Sequence, residues 1–127
     1  MADAASEGGP GKAIVSRVFI CSLCGKEAGT IVLERGDDRI RGKRSSFVSE
    51  LTCYLDLTLW SRLAEAVANG DAAALYAIDL ELTPFYCPAC RACFCGDHWQ
   101  SDSIWDDGFH DSIRGACPNG HERMLED

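Results

Sequence analysis

From Phe47 to Leu59 the chain alternates. Phe47, Leu51, Cys53, Leu55, Leu57 and Leu59 share one parity, interrupted only by Ser49, while Val48, Glu50, Thr52, Tyr54, Asp56 and Thr58 share the other. Successive side chains of a strand point to opposite faces, so this pattern predicts a half-buried antiparallel strand over about Phe47–Leu57. The period then changes. Leu59, Leu63 and Val67 recur every four residues and Gly70 follows, which predicts a helix closed by a glycine at its C-terminal end. Asp71 is placed to cap a second short helix from Ala72 to about Asp79, with Leu75 and Ile78 inward. Leu82–Tyr86 is expected as a strand. Upstream, AIVSRVFI (13–20) is apolar and β-branched and predicts another. Thr30–Leu33, the turn signal Gly36-Asp37-Asp38 and a return over Arg39–Arg41 predict a hairpin. After His98 the periodicity is broken: Trp99, Ile104, Trp105, Phe109 and Ile113 are expected to form a short helix and loop, followed by a charged, partly exposed tail from Glu122 to Asp127.

Composition narrows the class. With 127 residues, 46% of them apolar, and three Trp, one compact domain with a modest core is expected. Residues 1–13 are small, Gly-rich and polar and predict a disordered tail; residues 14–127 form the domain. A net charge of −8 disfavours a nucleic-acid binder, because phosphate contacts need concentrated basic surface. No apolar run approaches the ~20 residues of a membrane span. The start MADAASEGGPGK lacks the basic region and apolar run of a secretory signal. A reducing, cytoplasmic setting is therefore expected, where clustered cysteines more often hold metal than pair as disulfides.

The chemistry lies in four pairs: Cys21-x-x-Cys24, Cys87-x-x-Cys90, Cys95-x-x-His98 and Cys117-x-x-x-His121. Each places two soft or borderline donors on one tight turn, and Gly25 just after Cys24 suits the backbone such a turn leaves behind. Eight donors fill two tetrahedral sites and leave no position open, the signature of structural rather than catalytic zinc. Two Zn²⁺ are expected. The second and third pairs are separated by four residues only, too close to share one ion without a cramped loop, so each is expected to pair with a distant partner. Cys93 and His110 remain spare candidates that could replace a neighbour, and Cys53 is expected as a core thiol.

Over Val18–Glu27 and Phe85–Asp127 these motifs resemble the RING and FYVE group of cross-brace, treble-clef zinc fingers. The resemblance implies that the first pair joins the third and the second the fourth. Site one is then Cys21, Cys24, Cys95 and His98, and site two is Cys87, Cys90, Cys117 and His121. Together with the strands and helices read between the first two pairs, this gives an expected α+β fold: a small cross-brace core (14–29 and 85–127) with an α+β insertion (30–84). RING domains recruit conjugating enzymes through an apolar shelf and an arginine. Here Leu23, Trp99 and Pro118 match the shelf and Arg123 matches, one residue displaced, the arginine. The implied function is a protein-interaction module, with an E3-ligase-like adaptor for an E2-type enzyme and a ubiquitin-like modifier as its most concrete form. The insertion between the first two pairs is unusually long, and the basic cluster of FYVE lipid recognition is missing from FYCPACR (85–91).

Other readings are weaker. A non-catalytic zinc-binding protein whose insertion holds a protein partner is the main alternative. A treble-clef nuclease would need His98 or His110 with Asn119, and a zinc deaminase would need His-x-Glu ahead of its Pro-Cys-x-x-Cys, which is absent before Cys87. The cations Arg35, Arg39, Arg41, Lys43 and Arg44 are read as a solvated hairpin. Trp60, Trp99 and Trp105 are read as core rather than interface residues.

Overall fold

The structure, a computed structural model, describes residues 13–106 and 109–126. The expected tail therefore lies outside the described residues except for Ala13. The side chains of Ile104, Trp105, Phe109 and His110 also lie outside them.

Four strands, β1 (Ala13–Ile20), β2 (Glu27–Arg35), β3 (Ile40–Ser46) and β4 (Glu50–Leu55), form an antiparallel meander in chain order. The β2–β3 turn is the expected one, with Gly36 donating to the Arg39 carbonyl at 2.9 Å. The alternation found from Phe47 does appear in β4, whose residues are exposed and half-buried in turn. The strand starts three residues late because Ser46 N–H donates to Ser49 O, which turns Phe47 and Val48 into the bend between β3 and β4. It stops at Leu55 because the Asp56 carboxylate takes the Thr58 N–H and starts a short 3-10 turn, Leu57–Leu59.

Helix α1 (Trp60–Asn69) ends where expected: Gly70 sits at φ 68° and its N–H reaches back to the Ala66 and Val67 carbonyls. In α2 (Ala72–Ile78) the Asp71 side chain accepts from Ala74 N–H. Leu63, Val67 and Leu75 are fully buried against Ile31, Leu33 and Ile40 of the sheet, which is the main core.

The remainder departs from expectation. Leu82–Tyr86 is not one strand: Leu80–Leu82 forms a 3-10 turn capped by Asp79, and only Tyr86–Cys87 (β5) pairs, with Ala92–Cys93 (β6). The segment after His98 is no helix and loop but a three-stranded antiparallel sheet of β7 (Gln100–Asp106), β8 (Phe109–Ala116) and β9 (Glu122–Glu126), in the order β9-β8-β7. The α+β expectation is thus corrected. The molecule is mostly β, with three small antiparallel sheets and two helices, because the broken apolar pattern after residue 98 belongs to short paired strands. Nor does the insertion stand apart from the metal-bearing segments: β1, which leads into Cys21, is a strand of the sheet on which the helices pack, and β2 runs through the boundary expected at 29 and 30. A glycine enables that contact. A methyl group at Gly29 of β2 would lie 2.4 Å from the Phe85 ring.

Two arginines hold the last strand against the rest. Arg44, read in sequence as part of a solvated hairpin, is 1% exposed. Its guanidinium donates to Glu81 O (3.1 Å), Ser49 O (2.9 Å) and the Glu126 carboxylate (3.3 Å). Arg123 donates to the carbonyls of Thr83 (2.7 Å), Tyr86 (2.8 Å), Leu80 (3.2 Å) and Met124 (2.8 Å). β9, expected as a partly exposed tail, buries Leu125 completely for the same reason. A buried charge costs several kcal/mol unless its donors are satisfied, and removing one partner of such a network typically costs about 3–5 kcal/mol. Arg44→Ala should lower the stability of the zinc-loaded protein by about that amount in urea unfolding. Arg62→Ala, on the exposed face of α1, should change it by no more than about 0.5 kcal/mol.

Candidate metal centres

The four ligand pairs sit on four tight turns. After β1, Cys21 N–H donates to Lys26 O (2.7 Å) and Gly25 N–H returns to Cys21 O (3.0 Å), with Gly25 at φ 78°. The second turn repeats this with Arg91 in place of the glycine: Arg91 N–H reaches Cys87 O at 2.8 Å and its φ is 55°. In the third, His98 N–H donates to Cys95 O (2.9 Å). In the fourth, between β8 and β9, Cys117 N–H meets His121 O (2.9 Å) and Gly120, at φ 87°, donates to Cys117 O.

Folding brings these turns together in two sets. Cys21, Cys24, Cys95 and His98 form one and Cys87, Cys90, Cys117 and His121 the other, with all donor atoms of a set within 4.8 Å of one another. First therefore meets third and second meets fourth, so the two sets interleave along the chain. The distances test the fit. Zn–S bonds of about 2.3 Å and Zn–N bonds of about 2.0–2.1 Å arranged tetrahedrally require sulfur–sulfur edges near ~3.8 Å and sulfur–nitrogen edges near ~3.5 Å. In the first set Cys24 Sγ lies 3.6 Å from Cys95 Sγ, and His98 Nδ1 lies 3.4 Å from both Cys21 and Cys95 Sγ. In the second, Cys90 and Cys117 Sγ are 3.7 Å apart, and His121 Nδ1 is 3.3, 3.4 and 3.7 Å from the sulfurs of Cys90, Cys117 and Cys87. The sulfurs are far beyond the ~2.05 Å of a disulfide, and none of the eight cysteines is in a disulfide. Each Cys₃His set accommodates one Zn²⁺, two in all, with the imidazoles presenting Nδ1.

The surroundings favour thiolate at selected positions. Burial pushes the Cys21 thiol up, but N–H groups donated around it, with the His98 ring, more than offset this and bring it down to about 6. Cys117 behaves alike: burial raises it, and backbone donors at His121 and Asn119 with neighbouring thiols bring it to about 6. At Cys87 burial prevails and the thiol rises to about 11. Asn119, considered for a nuclease, instead donates its amide to Cys90 Sγ at 3.1 Å, the kind of contact that orients a ligand. Of the histidines weighed for a nuclease, His98 lies in a metal set and the side chain of His110 lies outside the described residues.

The other site candidates divide. Cys93 belongs to neither set; it lies on β6, and burial pushes its thiol up to about 12. Cys53 is half-buried against the main core, as is Trp60, over which Arg35 stacks at 5.6 Å. Leu23 is 58% exposed on the first turn and Pro118 is exposed on the fourth. Trp99 and Arg123 are not available to a partner, which corrects their assignment to a docking surface. The Trp99 indole is 5% exposed, packs on Phe47 and Phe94, and donates its N–H to Phe85 O and Phe94 O. Arg123 is buried among the carbonyls described above. Sequence alone could not find these roles, because both residues are spent on carbonyls distant in the chain.

The chain belongs to the family described as Domain of unknown function (DUF8328), which it matches over residues 12–127. No curated protein and no solved structure matches it.

Elemental analysis of the purified protein should return two zinc per chain, and Cys24→Ala should reduce this to about one by opening a single set. Zinc uptake must displace protons from the thiols that burial holds high, such as Cys87, so binding should strengthen as pH rises. Below about 6 protons also compete for Cys21 and Cys117, the two thiols that are most acidic without metal, so zinc should be released to a colorimetric chelator as the pH is lowered further.

Proposed function

We propose that this protein is a zinc-stabilised protein-interaction module of cross-brace type, in which the metal shapes the surface and performs no chemistry. The observation that carries this is the completeness of the two Cys₃His sets: four protein donors close each tetrahedron and leave no position for water or substrate. Large apolar side chains are exposed on β1 and on the first metal turn, namely Ile14, Val18, Ile20 and Leu23 at 46–60%, and such side chains suit a protein contact. No helix of the described residues is long and apolar enough to cross a membrane. Eight cysteines outside any disulfide fit a reducing compartment, and the cytoplasm is the proposed location.

A finer form of this proposal is RING-like. Leu23 and Pro118 are exposed on the turns of the two different metal sets, which favours recruitment of an E2-type enzyme. The modifier-contacting arginine has no equivalent at Arg123. Zinc-loaded protein should therefore bind an E2-type enzyme by calorimetry and lose roughly tenfold or more of that affinity on Leu23→Arg, with a smaller loss on Pro118→Ala. Absence of binding across a panel of such enzymes would leave the plain interaction module, with the partner held elsewhere on the surface.

A further inference from the structure

β1 is an edge strand eight residues long, with no proline and, among the described residues, no partner strand on its outer side. The hydrogen bonds that follow it show which of its backbone groups are free. Cys21 N–H points toward β2, donating to Lys26 O, and Ser22 N–H points the opposite way, donating to Cys93 O of β6 at 2.8 Å. Because amides alternate along a strand, Ile20, Val18 and Ser16 turn theirs to the same side as Ser22. Among the described residues, no backbone hydrogen bond from outside the sheet reaches them. The Ser22–Cys93 bond is thus the first rung of a ladder whose next rungs are taken by none of the described residues.

Those rungs open onto a groove of about 660 Å³, within the range of a binding cleft. β1 forms one wall, the start of α2 with Tyr76 another, and Pro88 and Arg91 of the second metal turn close one end. Three charged residues line it. Arg17 is committed to the Val67 and Ala68 carbonyls at the end of α1, and Asp71 to the α2 cap. Arg91 is exposed and makes no hydrogen bond or ion pair through its side chain among the described residues, while its backbone is held by the metal turn. The free charge of the groove is therefore positive, on a chain whose net charge is −8. On the outward pleat of β1, Ile14, Val18 and Ile20 are 60%, 46% and 51% exposed. Proteins usually blunt so apolar an edge with charge or proline.

We propose that the free edge of β1 docks an extended segment of a partner protein, which adds to the sheet beside β1 and places a carboxylate on Arg91. This rests on the reading of the chain as a protein-interaction module and names the surface and the chemistry. Main-chain hydrogen bonds to Ser16, Val18 and Ile20 supply the affinity, alternate apolar side chains lie along Val18 and Ile20, and the carboxylate sets the register. A single strand suits the groove. A second copy of the chain would bring its own α2 and metal turn to the same edge under twofold symmetry.

The test uses the zinc-loaded full chain and eight-residue peptides alternating valine and threonine, ending in glutamate, glutamine or lysine. The glutamate-ended peptide should bind tightest, by roughly two- to fivefold over the glutamine-ended one, the scale of one exposed ion pair. On binding, amide exchange at Ser16, Val18 and Ile20 should slow while Arg17 and Phe19 stay unchanged. N-methylation of alternate peptide amides should abolish binding, and Arg91→Glu should transfer the preference to the lysine-ended peptide. Val18→Pro removes an outward N–H without touching the ladder to β2, and should abolish binding with two zinc retained. Binding indifferent to N-methylation or to residue 91, or unchanged exchange at the three amides, overturns the proposal. So does a dimer by light scattering with those amides protected before peptide is added. A partner whose binding is lost on Leu23→Arg but leaves the β1 amides unprotected overturns this docking site while the interaction-module reading stands.

Discussion

The joining of the chain's beginning to its end depends on the closure of two metal tetrahedra by residues far apart in the chain. Cys21 and Cys24 meet Cys95 and His98, while Cys87 and Cys90 meet Cys117 and His121. Neither set can form until the chain between has folded, and neither turn of a pair holds an ion alone. A structural zinc is worth about 10–16 kcal/mol of apparent binding free energy, as much as the ~5–15 kcal/mol stability of a whole domain. The second apolar cluster shows the dependence directly: its buried members are four ligand cysteines together with Phe94, Trp99 and Leu125. Metal ligation and burial are here one event.

The two apolar clusters are joined by charged groups as well as by apolar contacts such as Phe47, which touches both. Arg44 ties β3 to Glu81 and Glu126, and Arg123 ties β9 to the turns at Leu80, Thr83 and Tyr86. A guanidinium presents five donors in a fixed plane, so each arginine satisfies carbonyls from irregular backbone that cannot pair in a sheet. This explains how the helical layer and the metal-bearing sheets form one body although no long regular element spans them. It also removes Arg123 from any surface role.

Local chemistry was legible wherever neighbours in sequence are neighbours in space. Gly70 ends α1, Asp71 caps α2, and the alternation of Leu51, Cys53 and Leu55 marks one face of β4. The four ligand pairs declared themselves by spacing, since each needs only one tight turn. Less legible were the strands after residue 98, where partners lie across a sheet and the apolar pattern is too short to carry a period. The 3-10 turn at Leu80–Leu82 is hidden for a related reason: its cap, Asp79, also closes the preceding helix and reads in sequence as that helix's end.

The sequence by itself determined that four ligand pairs suffice for two four-donor metal sites, that Gly70 ends the first helix and that Asp71 caps the second, because these follow from chemistry within a few residues. Tertiary structure alone decided that Arg44, Trp99 and Arg123 are interior. Their partners are backbone carbonyls, which carry no residue-specific mark in a sequence and become visible only when the chain brings them to the side chain. It likewise decided that the outer edge of β1 is left open beside Arg91, since a strand's free side is defined by what fails to pair with it.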